Sequence, residues 1–128
     1  MKVKKLEHVG ISVKNMDETL KFYTEVLGIP PGDIKLGGVP GVMKMATIHL
    51  AGSDIELLQN LDPKAAALKA DVIAHLAIEV DDIVQALSWL KSKGATLVHE
   101  KPMQLPGGRK VAFFTPANSQ VSIEMVED

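Results

Sequence analysis

Alternation of apolar and polar positions is the first signal along the chain. Between residues 6 and 13, Val9, Ile11 and Val13 fall on one side of an extended strand and His8, Gly10 and Ser12 on the other. Residues 74 to 80 do the same, with Leu76, Ile78 and Val80 opposite His75, Ala77 and Glu79. After each strand the period changes to that of a helix. Met16, Leu20, Tyr23 and Leu27 form one apolar stripe; Ile83, Leu87 and Leu90, with Ala86 beside them, form the other. Asn15 with Glu18 and Asp82 with Gln85 have capping-box spacing, and Gly28 and Gly94 sit where left-handed helix stops are expected. Each helix is predicted to cover the aliphatic face of its strand.

Strand-like runs and turns follow both helices. In the first half, Gly28 to Gly32 and Gly37 to Gly41 bracket a loop-rich stretch, and Val42 to Leu50 with Ile55 to Gln59 predict a hairpin closed at Ala51 to Asp54. In the second half the corresponding runs are Thr96 to His99, Lys110 to Thr115 and Val121 to Val126, broken at Pro106 to Gly108 and Pro116 to Ser119. The common unit is strand, helix, three strands. Between the halves, Asp62 to Ala70 offers a capping Asp, a proline suited to the first helical position and good helix formers, which predicts a short helical linker. Module one then runs over about 5–60, the linker over about 61–72 and module two over about 73–127, within one domain.

The repetition extends to letters. His8-Val-Gly-Ile-Ser-Val13 recurs as His75-Leu-Ala-Ile-Glu-Val80, and Asp54-Ile-Glu-Leu-Leu58 recurs as Ser122-Ile-Glu-Met-Val126. From 8 to 56 and from 75 to 124, the two His-to-Glu spacings differ by a single residue. Strand parity turns Glu56 and Glu124 away from their aliphatic neighbours; if those neighbours pack under the helices, both Glu share a face with His8 and His75, the alternative being solvent-facing positions on a half-exposed sheet. Two imidazoles and two carboxylates on one surface suit a first-row divalent ion such as Ni, Co or Zn. A hairpin centred on Gly52-Ser53 would set His49 opposite Glu56, as a hydrogen-bonding neighbour of the site. His99 reads as a surface histidine, and Trp89, Phe113 and Phe114 as core, with one of the two phenylalanines facing the cavity side.

Composition narrows the class of function. The 128 residues are 46% hydrophobic, enough for a real core, and the formal charge is −2 with interspersed signs and a single arginine, Arg109. No basic stripe is available for nucleic acid. No apolar run approaches a bilayer span and Met1 to Leu6 lacks signal-peptide character, which predicts a cytoplasmic chain with no membrane partner. The absence of cysteine leaves His, Asp and Glu as metal ligands.

The motifs His8-Val-Gly-Ile-Ser-Val, Leu20-Lys-Phe-Tyr-Thr-Glu-Val-Leu-Gly28, Ile55-Glu-Leu-Leu58, His75-Leu-Ala-Ile-Glu-Val-Asp-Asp-Ile83 and Val121-Ser-Ile-Glu-Met125 together resemble the vicinal oxygen chelate superfamily, above all glyoxalase I and methylmalonyl-CoA epimerase. The resemblance implies an α+β fold: two tandem βαβββ modules forming a curved, cupped mixed sheet with helices on the outside. It also implies a homodimer and one divalent metal held by His8, Glu56, His75 and Glu124. The implied activity is a glyoxalase-type lyase or isomerase that moves a proton alpha to a carbonyl of a small alpha-hydroxycarbonyl or thioester, with Glu124 or Glu56 as the base. His49, Lys44, Arg109 and Lys110 are the candidate substrate contacts. The epimerases carry an extra acidic residue whose nearest counterpart here is Lys44, and glyoxalase I uses arginine among the groups that hold glutathione, where this chain has only Arg109 beside Lys110. Related alternatives are an epimerase, a metal-free binding protein of the bleomycin-resistance type and, more distantly, an extradiol dioxygenase.

Overall fold

The computed structural model describes residues 1–30, 34–37, 43–62, 70–116 and 121–128. The expected linker helix falls largely on 63–69, outside the described residues, as do parts of the loops at 31–33, 38–42 and 117–120. Nine strands are found among the described residues: β1 (Val3–Ser12), β2 (Ile34–Gly37), β3 (Met43–His49), β4 (Asp54–Asn60), β5 (Val72–Val80), β6 (Thr96–Leu97), β7 (Met103–Gln104), β8 (Lys110–Thr115) and β9 (Ser122–Glu127). Two helices join them, α1 (Met16–Lys21), which runs on as a π-helical turn over Phe22–Val26, and α2 (Ile83–Ser92). The chain forms two compact units, one of Val9–Ala74 and one of Met1–His8 with His75–Asp128.

In the Val9–Ala74 unit, β2, β3 and β4 pair antiparallel in sequence order. The end of β1 lies along β4, where the Val13 N–H donates to the Leu58 carbonyl at 2.8 Å. Asn15 caps α1 as its spacing predicts, accepting from the Glu18 N–H at 3.0 Å. Met16, Leu20 and Tyr23 pack on a core of Val13, Ala46, Ile48 and Leu57. Leu27 leaves the stripe and is exposed, because the π turn closes Leu27 N–H onto Phe22 C=O and rotates the following residues; Ile29 packs in its stead. The loop-rich stretch expected after Gly28 contains a short strand, β2, whose Gly- and Pro-rich flanks hide its pattern.

In the other unit the start of β1 runs beside β5, β5 pairs parallel with β9, β9 antiparallel with β8, and both β6 and β7 lie on β8. This mixed pairing and the two helices make the α+β architecture that the resemblance implies. Asp82 caps α2 by accepting from Gln85 N–H at 3.0 Å, and Gly94 takes a φ of 80° at its end. Ile83, Ala86 and Leu87 pack on Val80, Ala112 and Met125, with Phe114 at the margin. Trp89, expected in the core, is 48% exposed, and Lys93 Nζ lies 4.7 Å from its ring centroid. It follows Leu87 by two residues, which turns it well away from the buried stripe of α2. The strand expected over Thr96 to His99 shortens to β6, beyond which Val98 and His99 N–H groups both approach the Phe113 carbonyl.

The two units repeat a contact that neither capping box reveals. Met16 N–H donates to Gln59 Oε1 at 2.8 Å, and Ile83 N–H donates to Glu127 Oε2 at 2.7 Å. Each acceptor lies three residues beyond the module's Glu, so the last strand of each module satisfies a donor that the first helical turn leaves unpaired.

Candidate metal centre

His8 closes the first segment of its unit and His75 opens the second, each on the small-residue face that alternation assigned to it. Their rings are 6% and 7% exposed, and the Nε2 atoms stand 2.9 Å apart with the rings nearly perpendicular. Glu124 lies beside His75: parallel pairing sets it next to Ala77, and its Oε2 is 3.7 Å from His75 Nε2. The floor beneath is apolar, a buried cluster of Ala77, Val111 and Val126 on the same strand faces. Phe113, opposite Glu124 in the β8–β9 register, meets the His75 ring edge to face at 5.8 Å, so it is the phenylalanine on the site side.

Burial, with a smaller push from His8, lowers the His75 pKa from 6.5 to about 4. The imidazole therefore stays neutral at pH 7, the state in which a nitrogen lone pair is available to a metal. Two converging imidazole nitrogens beside a carboxylate, with little access to water, form a donor set that fits a first-row divalent ion.

Glu7 was not singled out in the sequence, yet its carboxylate accepts from His8 Nδ1 through Oε2 and from Arg109 Nη1 at 2.9 Å through Oε1. Burial raises its pKa, but the hydrogen bonds and charges of His8 and Arg109 outweigh that, and the carboxyl is held below its ordinary range. Arg109 also grips Asp128 with Nε at 2.6 Å and Nη2 at 3.0 Å. The only signal for this network was a lone arginine in a chain whose other cations are lysines.

Glu56 belongs to the Val9–Ala74 unit. It lies on β4 opposite Thr47, half-buried, on the face away from Ile55 and Leu57.

The substrate-contact candidates fare differently. His49 pairs with Asp54, not Glu56, because the hairpin turns over the four residues 50–53 instead of about Gly52-Ser53; its side chain is 78% exposed and its Nδ1 is 3.3 Å from Asp54 Oδ1. Lys44 stands on the core face of β3 with Ala46 and Ile48, opposite Gln59. Lys110 is its counterpart on β8, on the face of Ala112 and Phe114, with Nζ 3.8 Å from Glu127 Oε1. Parity alone puts both lysines on the helix side. Arg109 does lie on the site side, but its guanidinium is committed to Glu7 and Asp128. His99 is half-buried instead of on the surface: its Nδ1 accepts from Phe113 N–H at 3.1 Å.

Comparison with known proteins shows the family. The model of the Glyoxalase/Bleomycin resistance protein/Dioxygenase superfamily matches residues 5–123. Methylmalonyl-CoA epimerase from Bos taurus is 30% identical over 123 residues, which cover 89% of this chain and 68% of the relative. Lactoylglutathione lyase from Neisseria meningitidis is 30% identical over 118 residues, covering 85% and 80%. Among solved structures, methylmalonyl-CoA epimerase from Mycobacterium tuberculosis superposes with a TM-score of 0.81 at 27% identity, over 98% of this chain and 88% of that one. These relatives are enzymes.

Proposed function

The chain belongs to the Glyoxalase/Bleomycin resistance protein/Dioxygenase superfamily, and from that membership we propose that it is a divalent-metal-dependent lyase or isomerase of the glyoxalase type. The observation that carries this reading is the meeting of His8 and His75 Nε2 at 2.9 Å with Glu124 alongside. His8, His75 and Glu124 would hold the ion, and Glu56 is assigned the fourth ligand position because it matches Glu124 in the repeat. When bound, Ni, Co or Zn supplies Lewis acidity to a substrate carbonyl oxygen.

The remaining chemistry falls to side chains. His8 and His75 anchor, since a neutral imidazole has no proton-acceptor role to spare once its lone pair is engaged. Glu124 is the base: its carboxylate takes the proton from the carbon alpha to the carbonyl and returns it to a neighbouring carbon. The floor of Ala77, Val111 and Val126, with Phe113 beside it, excludes water and so strengthens each charge interaction at the site.

A second reading is an epimerase acting on a 2-substituted acyl thioester. Two observations favour it: the similarity to methylmalonyl-CoA epimerases, and the engagement of Arg109 by Glu7 and Asp128, which withdraws the one arginine from glutathione recognition. Inversion at carbon needs a base on each face, and Glu56 would be the partner of Glu124. By the same family resemblance the protein would act as a homodimer on a small-molecule substrate.

Proton exchange separates the readings. Protein loaded in turn with Ni, Co and Zn is incubated in deuterium oxide with the hemithioacetal of methylglyoxal and glutathione, and with methylmalonyl-CoA. Conversion of the hemithioacetal supports the lyase, deuterium at C2 of the thioester supports the epimerase, and neither with any of the metals overturns both.

A further inference from the structure

The side chain of Glu7 has two oxygens and two distinct partners. One oxygen faces His8 Nδ1 and the other takes Arg109 Nη1 at 2.9 Å, while Arg109 forks onto both oxygens of Asp128. Asp128, Arg109, Glu7 and His8 thus form one continuous chain of charge-assisted hydrogen bonds within a single unit. Glu7 is well enclosed, with its side chain 12% exposed, whereas the Arg109–Asp128 end of the chain is open to solvent.

The consequence lies in the imidazole's two nitrogens. A carboxylate paired with a guanidinium only accepts hydrogen bonds, so the ring nitrogen facing it must be the one that carries the proton. That fixes Nδ1–H and leaves Nε2 as the nitrogen turned to His75 Nε2 at 2.9 Å. The repeat sharpens the point, because the residue before His75 is Ala74, which has no side-chain acceptor. The two halves therefore differ at the position before the histidine.

We propose that Glu7, held by Arg109 and Asp128, is a positioning residue that sets the tautomer and orientation of His8 for metal binding. The inference rests on the metal-dependent reading given above, and it extends that reading to residues outside the donor set. Outer carboxylates of this kind orient a ligating imidazole and raise its basicity, and their loss commonly weakens metal binding 10- to 100-fold.

The test uses the full chain, with Glu7→Ala and Glu7→Gln. In the metal-free protein, long-range 1H–15N spectra report which His8 nitrogen is protonated, with the His8 signals assigned by their loss in His8→Gln. The expectation is Nδ1–H in the parent, loss of that preference in Glu7→Ala, and retention with an upfield move of the Nδ1 proton in Glu7→Gln, whose amide oxygen accepts without charge. Titration with Zn2+ alone should show affinity falling roughly 10- to 100-fold in Glu7→Ala and by less in Glu7→Gln. An unchanged His8 tautomer in Glu7→Ala, or unchanged zinc affinity in a parent that binds zinc, overturns the role. If Glu7→Ala does not fold, an unmoved Nδ1 proton in Glu7→Gln does the same. Should the parent bind no zinc while the tautomer responds, the metal reading fails and the control of His8 by Glu7 stands.

Discussion

At the scale of single residues, Glu124 has the most exposed role in the account. Glu124→Gln keeps the shape of the side chain and removes its capacity to take a proton, so kcat should fall about 100- to 10,000-fold; activity within a few-fold of the parent would remove Glu124 from the base role. His75 makes a pH prediction. Its folded pKa is about 4 against 6.5 for the free group, so between these values the unfolded chain binds the extra proton. Acidification from 6.5 towards 4 therefore costs metal-free protein stability, and above 6.5 this contribution is flat. Urea midpoints measured from pH 7 to 4.5 should fall more steeply for the parent than for His75→Gln, and parallel slopes would contradict the burial argument. Of the groups brought together, His8, His75 and Glu124 were legible because alternation and repetition each mark them. Glu7 was not, since it is adjacent to His8 in sequence and parity assigns neighbours to opposite faces. Lys44 and Lys110 were singled out for their charge alone, and strand parity puts them on the faces of Ala46 and Ile48 and of Ala112 and Phe114.

At the scale of elements, local chemistry decided most boundaries. Both N-cap bonds form, so Asn15→Ala and Asp82→Ala should each lower stability by about 1 kcal/mol, read from chemical denaturation. A change below a few tenths would mean the caps do not hold their helices. The reach of Gln59 and Glu127 to the helix starts adds a long-range tie at the same spot. Glu127→Ala should cost about 1 to 3 kcal/mol by leaving the Ile83 N–H without its acceptor. What the pattern missed are elements made by pairing and not by periodicity: β2 within a glycine-rich stretch, β7 of two residues, and the π turn that swings Leu27 out and Ile29 in. The His49 register slipped by two residues for a similar reason, since hairpin pairing follows turn length and a turn of four residues looks much like one of two.

At the scale of the molecule, the proposed donor set follows the repeat. The first strand of each module carries a histidine and its last strand a glutamate, and the parallel pairing of β5 with β9 puts His75 and Glu124 on one face. Linkage follows. A ligand that binds only the folded chain stabilises it by about 2.7 kcal/mol at a hundredfold excess over its Kd, so Zn2+ should raise the Tm of the parent and a chelator should reverse the shift. His8→Gln and His75→Gln should not respond. The most direct measurement of the central claim is anomalous diffraction at the zinc edge from crystals grown with Zn2+. The account predicts one strong peak at about 2.0 to 2.2 Å from His8 Nε2, His75 Nε2 and a Glu124 carboxylate oxygen. No peak there, or zinc held only by surface side chains elsewhere, would contradict it.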